Sequence, residues 1–245
     1  MSLLIIFLGI MISRTAPAET NLRQYICQRT ASSIKIDGRL DELSWQWAAK
    51  LGLFVKADHD TSTLFHTDAM LLWDERNLYV AFICADSDIW STKNRRDDSL
   101  FEEESVEIFI GPYGDEGKFI ELGVNPLNTV YDLLISKAYS LGGKADWSWN
   151  IKGLQTAVMV DGTVNERSDR DVGWTVEIAI PWEAMDKLWP GVSIPPKNGD
   201  KWRLKLLRID RPGSGRIGII GWCDSPHPGK FGFLKFSKVK VGSLK

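Results

Sequence analysis

The sequence predicts an all-β protein built as an antiparallel β-sandwich, with one or two short helices. Short segments in which apolar and polar residues alternate follow one another, and turns rich in Gly, Pro, Asn or Asp separate them. Helical character is confined to two stretches, after Asp41 and after Pro181. Short strands joined by turns are typical of a sandwich, because its two sheets bury alternate residues between them.

The composition narrows the range of functions. The chain has 245 residues, of which 44% are hydrophobic and 25% are charged, as expected for a globular protein with one core. A net charge of -2, spread over both signs, argues against a nucleic-acid partner, because phosphate binding needs clustered Lys and Arg. Eleven tryptophans favour a carbohydrate or apolar ligand, although most of them should fill the core.

Residues 1–18 have the features of a signal peptide. The segment from Ser2 to Ile12 is apolar but too short to span a bilayer comfortably, and Ala16-Pro17-Ala18 offers the small residues that a signal peptidase requires. We expect cleavage after Ala18 and a secreted or periplasmic protein. The alternative is a disordered or anchoring N-terminus on a cytoplasmic protein.

The first regular elements follow Ser33. Asp37-Gly38 predicts a turn, and Asp41 is a candidate N-cap for a short helix in which Trp45 is buried. The later segment LLWDERNLYVAFICADSD predicts two strands joined by a turn at Asp74 to Asn77. Cys84 lies in the second of these strands and is expected in the core.

The stretch SLFEEESVEIFIGP combines a run of carboxylates with a strongly apolar strand. Alternation places Val106, Ile108 and Ile110 on one face of this strand. Glu107 and Phe109 then share the opposite face, so a carboxylate lies beside an aromatic ring. One interpretation is a sheet edge with Glu107 in water. The other is a ligand site in which the carboxylate anchors a molecule that stacks on the ring.

Three later segments supply further candidates. Thr129 to Ile135 predicts a strand in which Asp132 is either buried with a partner or located at a sheet edge. Asp146-Trp147-Ser148-Trp149-Asn150 places two indoles on one side of an extended segment, which is either an exposed apolar platform or part of the core. In WRLKLLRID, Arg208 ends an apolar face and needs a partner, either a carboxylate such as Glu107 or a ligand hydroxyl.

Other patterns carry less information about chemistry. Three cysteines allow at most one disulfide. Asp58-His59-Asp60 and His66-Thr67-Asp68 contain metal-ligand residues but are more typical of a solvated loop. Gly213 to Gly218 matches GxGxxG, but a strand follows it instead of the helix that a phosphate-binding loop requires. Nucleophile-elbow, zincin and P-loop signatures are absent from the sequence.

Six segments occur in the order seen in the family 9 carbohydrate-binding modules: IDGRLDELSWQWA, LLWDERNLYVAF, EEESVEIFIGP, VNPLNTVYD, GWTVEIAIPW and KFGFL. The chain resembles this family from about Ile34 to Phe236. The resemblance implies a jelly-roll-like sandwich that binds carbohydrate without catalysis, serves polysaccharide breakdown and holds calcium. It also divides the mature chain into an N-terminal extension (19–33), the module (34–236) and a C-terminal tail (237–245).

The resemblance also predicts site residues. In the sugar-binding members, two aromatic side chains clamp a terminal sugar ring, while carboxylate, amide and arginine groups bind its hydroxyls. By this resemblance Phe101 is the first clamp aromatic and Glu107 the carboxylate, and Gly123 replaces a polar contact. The second clamp position falls in the SPHP loop, where His227 is a weaker stacking group and Trp222 the alternative. The predicted ligand-binding residues are Phe101, Glu107, Asn125, Arg208, Trp222 and His227, with Trp147 and Trp149 as secondary aromatic candidates.

Two alternative functions come from other classes. Relatives of the same fold bind haem through an axial Met or Lys, so haem or another small ligand is the binding alternative. A glycoside hydrolase needs two carboxylates about 5 to 10 Å apart, and Glu107, Asp132 and Glu177 are the candidates for that role. Alternation and turns do not establish such a distance.

Overall fold

The computed structural model describes residues 22–55, 66–211, 218–223 and 225–243. The predicted signal peptide, the Asp58-His59-Asp60 segment and residues 213–217 of the GxGxxG match lie outside these ranges. The strands in the described residues are β1 Gln24–Arg29, β2 Thr67–Trp73, β3 Asn77–Ala85, β4 Ser105–Gly111, β5 Phe119–Val124, β6 Val130–Ile135, β7 Ala145–Asp146, β8 Gln155–Asp161, β9 Gly173–Pro181, β10 Lys201–Asp210, β11 Gly218–Gly221 and β12 Gly232–Lys240. A five-residue helix, α1 (Leu43–Trp47), and short 3-10 turns at Leu100–Glu102, Tyr139–Leu141, Trp182–Met185 and Pro228–Lys230 complete these elements.

The strands form one hydrogen-bonded sheet that doubles back on itself, in the order β7-β6-β5-β4-β10-β12-β1-β2-β3-β9-β8, with β11 paired to β10. We call β7, β6, β5, β4 and β10 the front half, and β2, β3, β9 and β8 the back half. One core cluster contains Ile108, Leu122 and Leu206 from the front half together with Leu71 and Val176 from the back half. This two-layer packing confirms the predicted β-sandwich. No helix in the described ranges has the length and apolar character needed to cross a membrane.

The aromatic core accounts for several of the tryptophans. Trp202 packs edge-to-face against Trp182 and Trp189, with ring centroids 5.9 and 5.2 Å apart. Phe236 contacts both Trp73 and Trp202 in the same manner. Such arrangements are the preferred geometry for packed aromatic rings. As expected from the sequence, these tryptophans are structural.

Strand β1 lies inside the segment that was predicted to be an N-terminal extension. It pairs in parallel with β12 on one side and with β2 on the other, so it links the front half to the back half. Strand β12 similarly continues to Lys240, beyond the predicted end of the module at Phe236. The sheet therefore includes residues on both sides of the predicted boundaries, because these backbone segments find partners within the sandwich.

Helix α1 covers the outer face of the back half. Trp45 is 2% exposed, as predicted, and its Nε1 donates a hydrogen bond of 2.8 Å to Glu177 Oε1. Glu177 Oε2 also accepts from the backbone nitrogens of Asp37 and Gly38, at 2.9 and 2.7 Å. The N-cap of α1 is Glu42 and not Asp41, and the Glu42 side chain accepts from another backbone nitrogen instead of capping the helix.

We predict that Gly38→Ala lowers the free energy of unfolding by about 2 to 4 kcal/mol. Gly38 has a φ of +84°, and a Cβ there would lie 2.8 Å from the backbone nitrogen of Met159. Gly52 has a similar φ of +88° with no atom within 4 Å of its Cβ position, so Gly52→Ala isolates the cost of the backbone conformation. That cost should be about 1 to 2 kcal/mol. Equal losses in the two variants, measured by urea unfolding, would show that the contact with β8 is unimportant.

Candidate functional site

A cluster of polar groups lies on the outer face of the front half. Glu107 is directly opposite Gly123 in the sheet, and Gly123 is opposite Tyr131. Glu121, two residues along β5, lies on the same face. The Tyr131 hydroxyl donates to Glu121 Oε1 at 3.1 Å and also hydrogen-bonds to Glu107. We call Glu107, Glu121 and Tyr131 the glutamate cluster.

One phenol proton serves two carboxyl groups in this cluster. Tyr131 has a single phenol proton, so it donates to Glu121 or to Glu107 but not to both at once. The side chain of Glu107 is almost fully buried, and its Oε1 has no hydrogen-bond partner among the described residues. Burial of the Glu107 carboxyl group therefore disfavours its charged form.

Burial is the main cause of the shifted titration. It raises the pKa of Glu107 to about 7, with a smaller opposing effect from the Tyr131 hydrogen bond and the charge of Lys205. Burial, followed by the charge of Glu107, raises the pKa of Glu121 to about 7 as well. Both groups change charge near neutral pH, and carboxyl groups with such perturbed pKa values are common at functional sites.

Gly123 explains how a tyrosine fits over this face. A Cβ at Gly123 would lie 2.2 Å from Tyr131 Cε1, so the tyrosine ring occupies the space that a side chain on β5 would need. The Trp147 ring packs against Tyr131 with centroids 6.1 Å apart and is 43% exposed. Tyr139 is 55% exposed and hydrogen-bonds to Glu121. Exposed rings thus border the buried Glu107 and the partly buried Glu121.

Phe101 and His227 are also on accessible parts of the chain. Phe101 is 44% exposed and follows Leu100, which is buried in a small cluster with Phe119 and Tyr131. His227 Nδ1 lies 3.2 Å from the hydroxyl of Ser140, the residue next to Tyr139. The SPHP loop therefore contacts the turn that carries one of the exposed rings. These positions are compatible with the predicted roles of Phe101 and His227.

Asn125 and Trp222 are placed differently from the prediction that they contact ligand. Asn125 is fully buried and donates to Ser91 Oγ and to the backbone oxygen of Lys93, at 2.8 and 2.7 Å. Its own side-chain oxygen accepts from two backbone nitrogens of the turn that follows. Trp222 is 1% exposed, and its Nε1 donates to Leu51 O at 3.0 Å. Both side chains use their polar groups inside the fold, so we leave them out of the candidate site.

The segment Asp146 to Asn150 does not form a flat platform. The Asp146 carboxylate accepts from the backbone nitrogen and the hydroxyl of Ser148, at 3.0 and 2.6 Å, which is the geometry of an Asx turn. The turn directs Trp147 toward Tyr131, whereas Trp149 packs against the main core. Only one of the two indoles belongs to the candidate site.

Arg208 is on the core side of β10, with no exposed surface. Its guanidinium donates to Ala85 O at 2.8 Å and to carboxylate oxygens of Asp86 and Asp210 at 2.7 Å each. The predicted partner Glu107 is on the opposite face of the sheet, because Arg208 pairs with Val106 in β4. Arg208 is therefore a structural ion-pair residue, and no local sequence pattern identifies its two aspartate partners.

A third acid completes this inner cluster. Oxygen atoms of Asp86, Glu104 and Asp210 all lie within 4.8 Å of one another. Glu104 is fully buried, and its Oε1 has no partner in the described part of the chain. Burial raises the pKa of Glu104 to about 10 and that of Asp210 to about 6, with neighbouring carboxylates adding to both shifts. An orphaned carboxylate oxygen beside two others fits a hard cation such as Ca²⁺, which prefers oxygen ligands.

The three candidates for a hydrolase lie on three different faces. Glu107 is on the outer face of the front half, and Glu177 is under α1 on the outer face of the back half. Asp132 faces the core, where it accepts from Arg96 and from the backbone nitrogen of Ile151. Asp132 is thus buried and partnered, one of the two outcomes expected from its strand. No two of these carboxylates form the facing pair that glycoside hydrolysis requires.

We predict that Glu107→Gln removes part of the pH dependence of stability. The folded-state pKa of about 7 is above the ordinary 4.5, so the stability that the carboxyl group contributes is present below pH 4.5 and is lost as the pH rises through 7. At pH 8 the variant should exceed the wild type by on the order of 1 to 3 kcal/mol, and at pH 4.5 the two should converge. Thermal unfolding at both pH values is the measurement, with Glu116→Gln as an exposed control. Parallel pH curves for wild type and Glu107→Gln would contradict the assignment.

Solved structures of known proteins share this fold. Two structures of a family 9 carbohydrate-binding module from Caldicellulosiruptor kristjanssonii, in complex with cellotriose and with glucose, match with TM-scores of 0.57 and 0.58 and identities of 19% and 18%. The alignments cover 91% and 90% of this chain and 97% and 100% of those chains. A putative carbohydrate-binding protein from Bacteroides uniformis matches with a TM-score of 0.67 at 13% identity, over 88% of this chain and 100% of the other. At these identities the likeness establishes the fold.

Sequence relatives are much longer proteins. The endo-1,4-beta-xylanase A of Thermoanaerobacterium saccharolyticum is 29% identical over 63% of this chain, and the exoglucanase XynX of Acetivibrio thermocellus is 27% identical over 77%. The matched region spans 11% and 14% of those two proteins. The model of the carbohydrate family 9 binding domain-like family, whose modules bind without catalysing a reaction, matches residues 36–236. This chain therefore belongs to the carbohydrate family 9 binding domain-like family.

Proposed function

We propose that this chain is a secreted or periplasmic, non-catalytic module that binds a glycan on the outer face of its front half and serves polysaccharide breakdown. The observation that carries the proposal is the juxtaposition of the exposed rings of Trp147 and Tyr139 with the glutamate cluster. A family 9 module from Caldicellulosiruptor kristjanssonii was solved with cellotriose and with glucose, and the longer relatives are named as a xylanase and an exoglucanase. Both findings support carbohydrate as the ligand class.

Stacking supplies the apolar part of recognition. Trp147 rests on the buried Tyr131 and leaves 43% of its surface exposed, so it presents a supported ring to a sugar. Phe101, with its exposed ring, is the second stacking group by family resemblance. The position that lacks an aromatic in the SPHP loop holds His227, which contacts the Tyr139 turn through Ser140. In this proposal Trp147 takes the place of the absent clamp residue.

Hydrogen bonds to sugar hydroxyls supply the polar part. Glu121 is only partly buried and already accepts from Tyr131 and Tyr139. A carboxylate has about four acceptor sites, so Glu121 retains capacity for a hydroxyl donor. Glu107 is buried and does not contact the sugar directly. Its hydrogen bond to Tyr131 holds the tyrosine ring against which Trp147 packs. A charged acceptor strengthens a hydroxyl contact relative to a neutral one.

We predict that Trp147→Ala weakens binding of cellotriose about fivefold to tenfold, because it removes the exposed stacking ring. Isothermal titration calorimetry with glucose and cellotriose measures the loss. Trp47→Ala is the matched control, since Trp47 is 52% exposed but belongs to α1 on the back half. If Trp147→Ala and Glu121→Gln both bind cellotriose like the wild type, the outer face of the front half is not the site.

We also propose that Asp86, Glu104 and Asp210 hold a calcium ion. The buried, unpartnered oxygen of Glu104 beside two aspartates is the supporting observation. The ion would supply positive charge that the single Arg208 guanidinium provides only in part, and its binding would release the Glu104 proton. Because the site connects the start of β4 with the ends of β3 and β10, its expected effect is structural.

We predict that calcium raises the Tm of the wild type and has no such effect on Glu104→Gln. Without calcium, in chelator at pH 7, Glu104→Gln should be more stable than the wild type by on the order of 1 to 3 kcal/mol. The reason is that burial raises the pKa of Glu104 to about 10, so folding at pH 7 requires the carboxylate to take up a proton, whereas Gln is neutral in both states. Calcium binding to the wild type should release the Glu104 proton, which titration calorimetry with calcium in two buffers of different ionisation enthalpy measures. An equal rise in Tm for wild type and Glu104→Gln would reject the site, and Glu183→Gln controls for a surface effect.

A further inference from the structure

A cationic stripe lies on the outer face of the sheet, next to the glutamate cluster. Alternation along β10 places Lys201, Arg203 and Lys205 on this face, opposite to the core residues Trp202, Leu204 and Leu206. Lys235 of β12 pairs directly with Lys201. Residues two apart in a strand are separated by about 6.8 Å, so the three β10 cations recur at that spacing.

The stripe carries an excess of positive charge. Lys201 and Lys235 are directly opposite each other, and a like-charge pair in that position destabilises a sheet. Within the described residues, neither lysine nor Arg203 forms an ion pair. The charge of Asp115 acts on Arg203, and Asp115 Oδ1 accepts from the backbone nitrogen of Gly229 at 2.7 Å. The fold therefore tolerates repulsion here, which an anionic ligand would relieve.

Arg203 is held in place for such a ligand. Its guanidinium carbon lies 4.1 Å from the centroid of the Phe233 ring, and its Nη1 donates to Phe231 O at 3.1 Å. Lys201 Nζ lies 5.5 Å from the same Phe233 ring. A guanidinium has five N–H donors, so most of them remain for a carboxylate. An ordered arginine loses less entropy on binding than a flexible one.

The stripe and the proposed sugar site share one continuous face. Lys205 pairs with Phe109 of β4, and Phe109 pairs with Glu121 of β5. Neighbouring strands are about 4.8 Å apart, so Lys205 is about 10 Å from Glu121. Arg203 and Lys201 lie about 6.8 and about 13.6 Å further along β10, a range that a few sugar units span. The Phe233 ring lies beside Lys201 and Arg203, and the Phe109 ring lies beside Lys205. Stacking surfaces alternating with cations fit a chain of sugars that carry carboxylates.

We propose that the glycan is anionic: Lys201, Arg203 and Lys235 of the stripe bind carboxylate groups of an acidic polysaccharide whose sugar rings lie against Glu121 and Trp147. This inference rests on the proposed carbohydrate-binding function and names the substrate class. The sugar rings of the polysaccharide are recognised beside the glutamate cluster, and its carboxylate groups are recognised at the stripe. Affinity for the acidic polymer should therefore fall with salt, since exposed charges are screened.

Affinity electrophoresis with two polymers of the same backbone tests the proposal: carboxymethyl cellulose, which is anionic, and hydroxyethyl cellulose, which is neutral. The wild type should bind the anionic polymer more tightly, and the preference should shrink between about 50 and about 500 mM salt. Lys201→Gln/Lys235→Gln and Arg203→Gln should each lower the preference about twofold to fivefold per charge removed, without weakening cellotriose binding. Lys152→Gln/Lys187→Gln, which removes two exposed charges elsewhere, should leave it unchanged.

The outcomes separate this inference from the proposed function. Binding of cellotriose and of both polymers with equal affinity overturns the anionic class but leaves sugar binding intact. Equal loss in the stripe variants and in Lys152→Gln/Lys187→Gln also overturns it, because net charge alone would explain the effect. Binding of duplex DNA as tight as that of carboxymethyl cellulose would show a non-specific cationic surface and would overturn it too. Failure to bind any of the sugars would reject the proposed function itself.

Discussion

Strict alternation of side chains along β4 is the constraint on which the candidate site depends. Val106, Ile108 and Ile110 fill the space between the two halves and are almost completely buried, so their neighbours must face outward. A shift of one residue would place Glu107 in the core and the apolar residues outside. The register with β5 then sets Glu107 opposite Gly123. The glutamate cluster is thus a direct consequence of how the core is packed.

Burying two carboxyl groups on an outer face opposes stability and favours function. Tyr131 covers both groups, and each has a pKa of about 7 because burial disfavours its charge. A fold selected only for stability would not place two acids there, whereas ligand sites often contain such unfavourable groups. The inner cluster around Arg208 also contains an unfavourable buried acid, because Glu104 retains an oxygen without a partner in the described residues. Two of the least favourable electrostatic features of the fold therefore coincide with the two proposed binding sites.

The sequence predicted what depends on local periodicity and missed what depends on long-range pairing. Alternation correctly placed Glu107 and Phe109 outward, and turn residues identified the Asp37-Gly38 turn. No sequence pattern predicts the contact between Gly123 and Tyr131, because a glycine in a strand does not indicate which ring will lie over it. Arg208 was correctly expected to need a partner, but Asp86 comes from a distant strand end. The sequence Asp-Trp-Ser is typical of an Asx turn at Asp146. Such a turn predicts that Trp147 and Trp149 point in different directions.

The central claim is that sugar contacts the outer face of the front half at Trp147. The most direct measurement is a ¹H–¹⁵N NMR titration that follows the indole N–H signals of the tryptophans while cellotriose is added. The account predicts that the Trp147 signal moves with saturating, dose-dependent shifts, while the signals of the exposed Trp47 and the buried Trp202 stay in place. Shifts confined to Trp47, or to tryptophans other than Trp147, would contradict it.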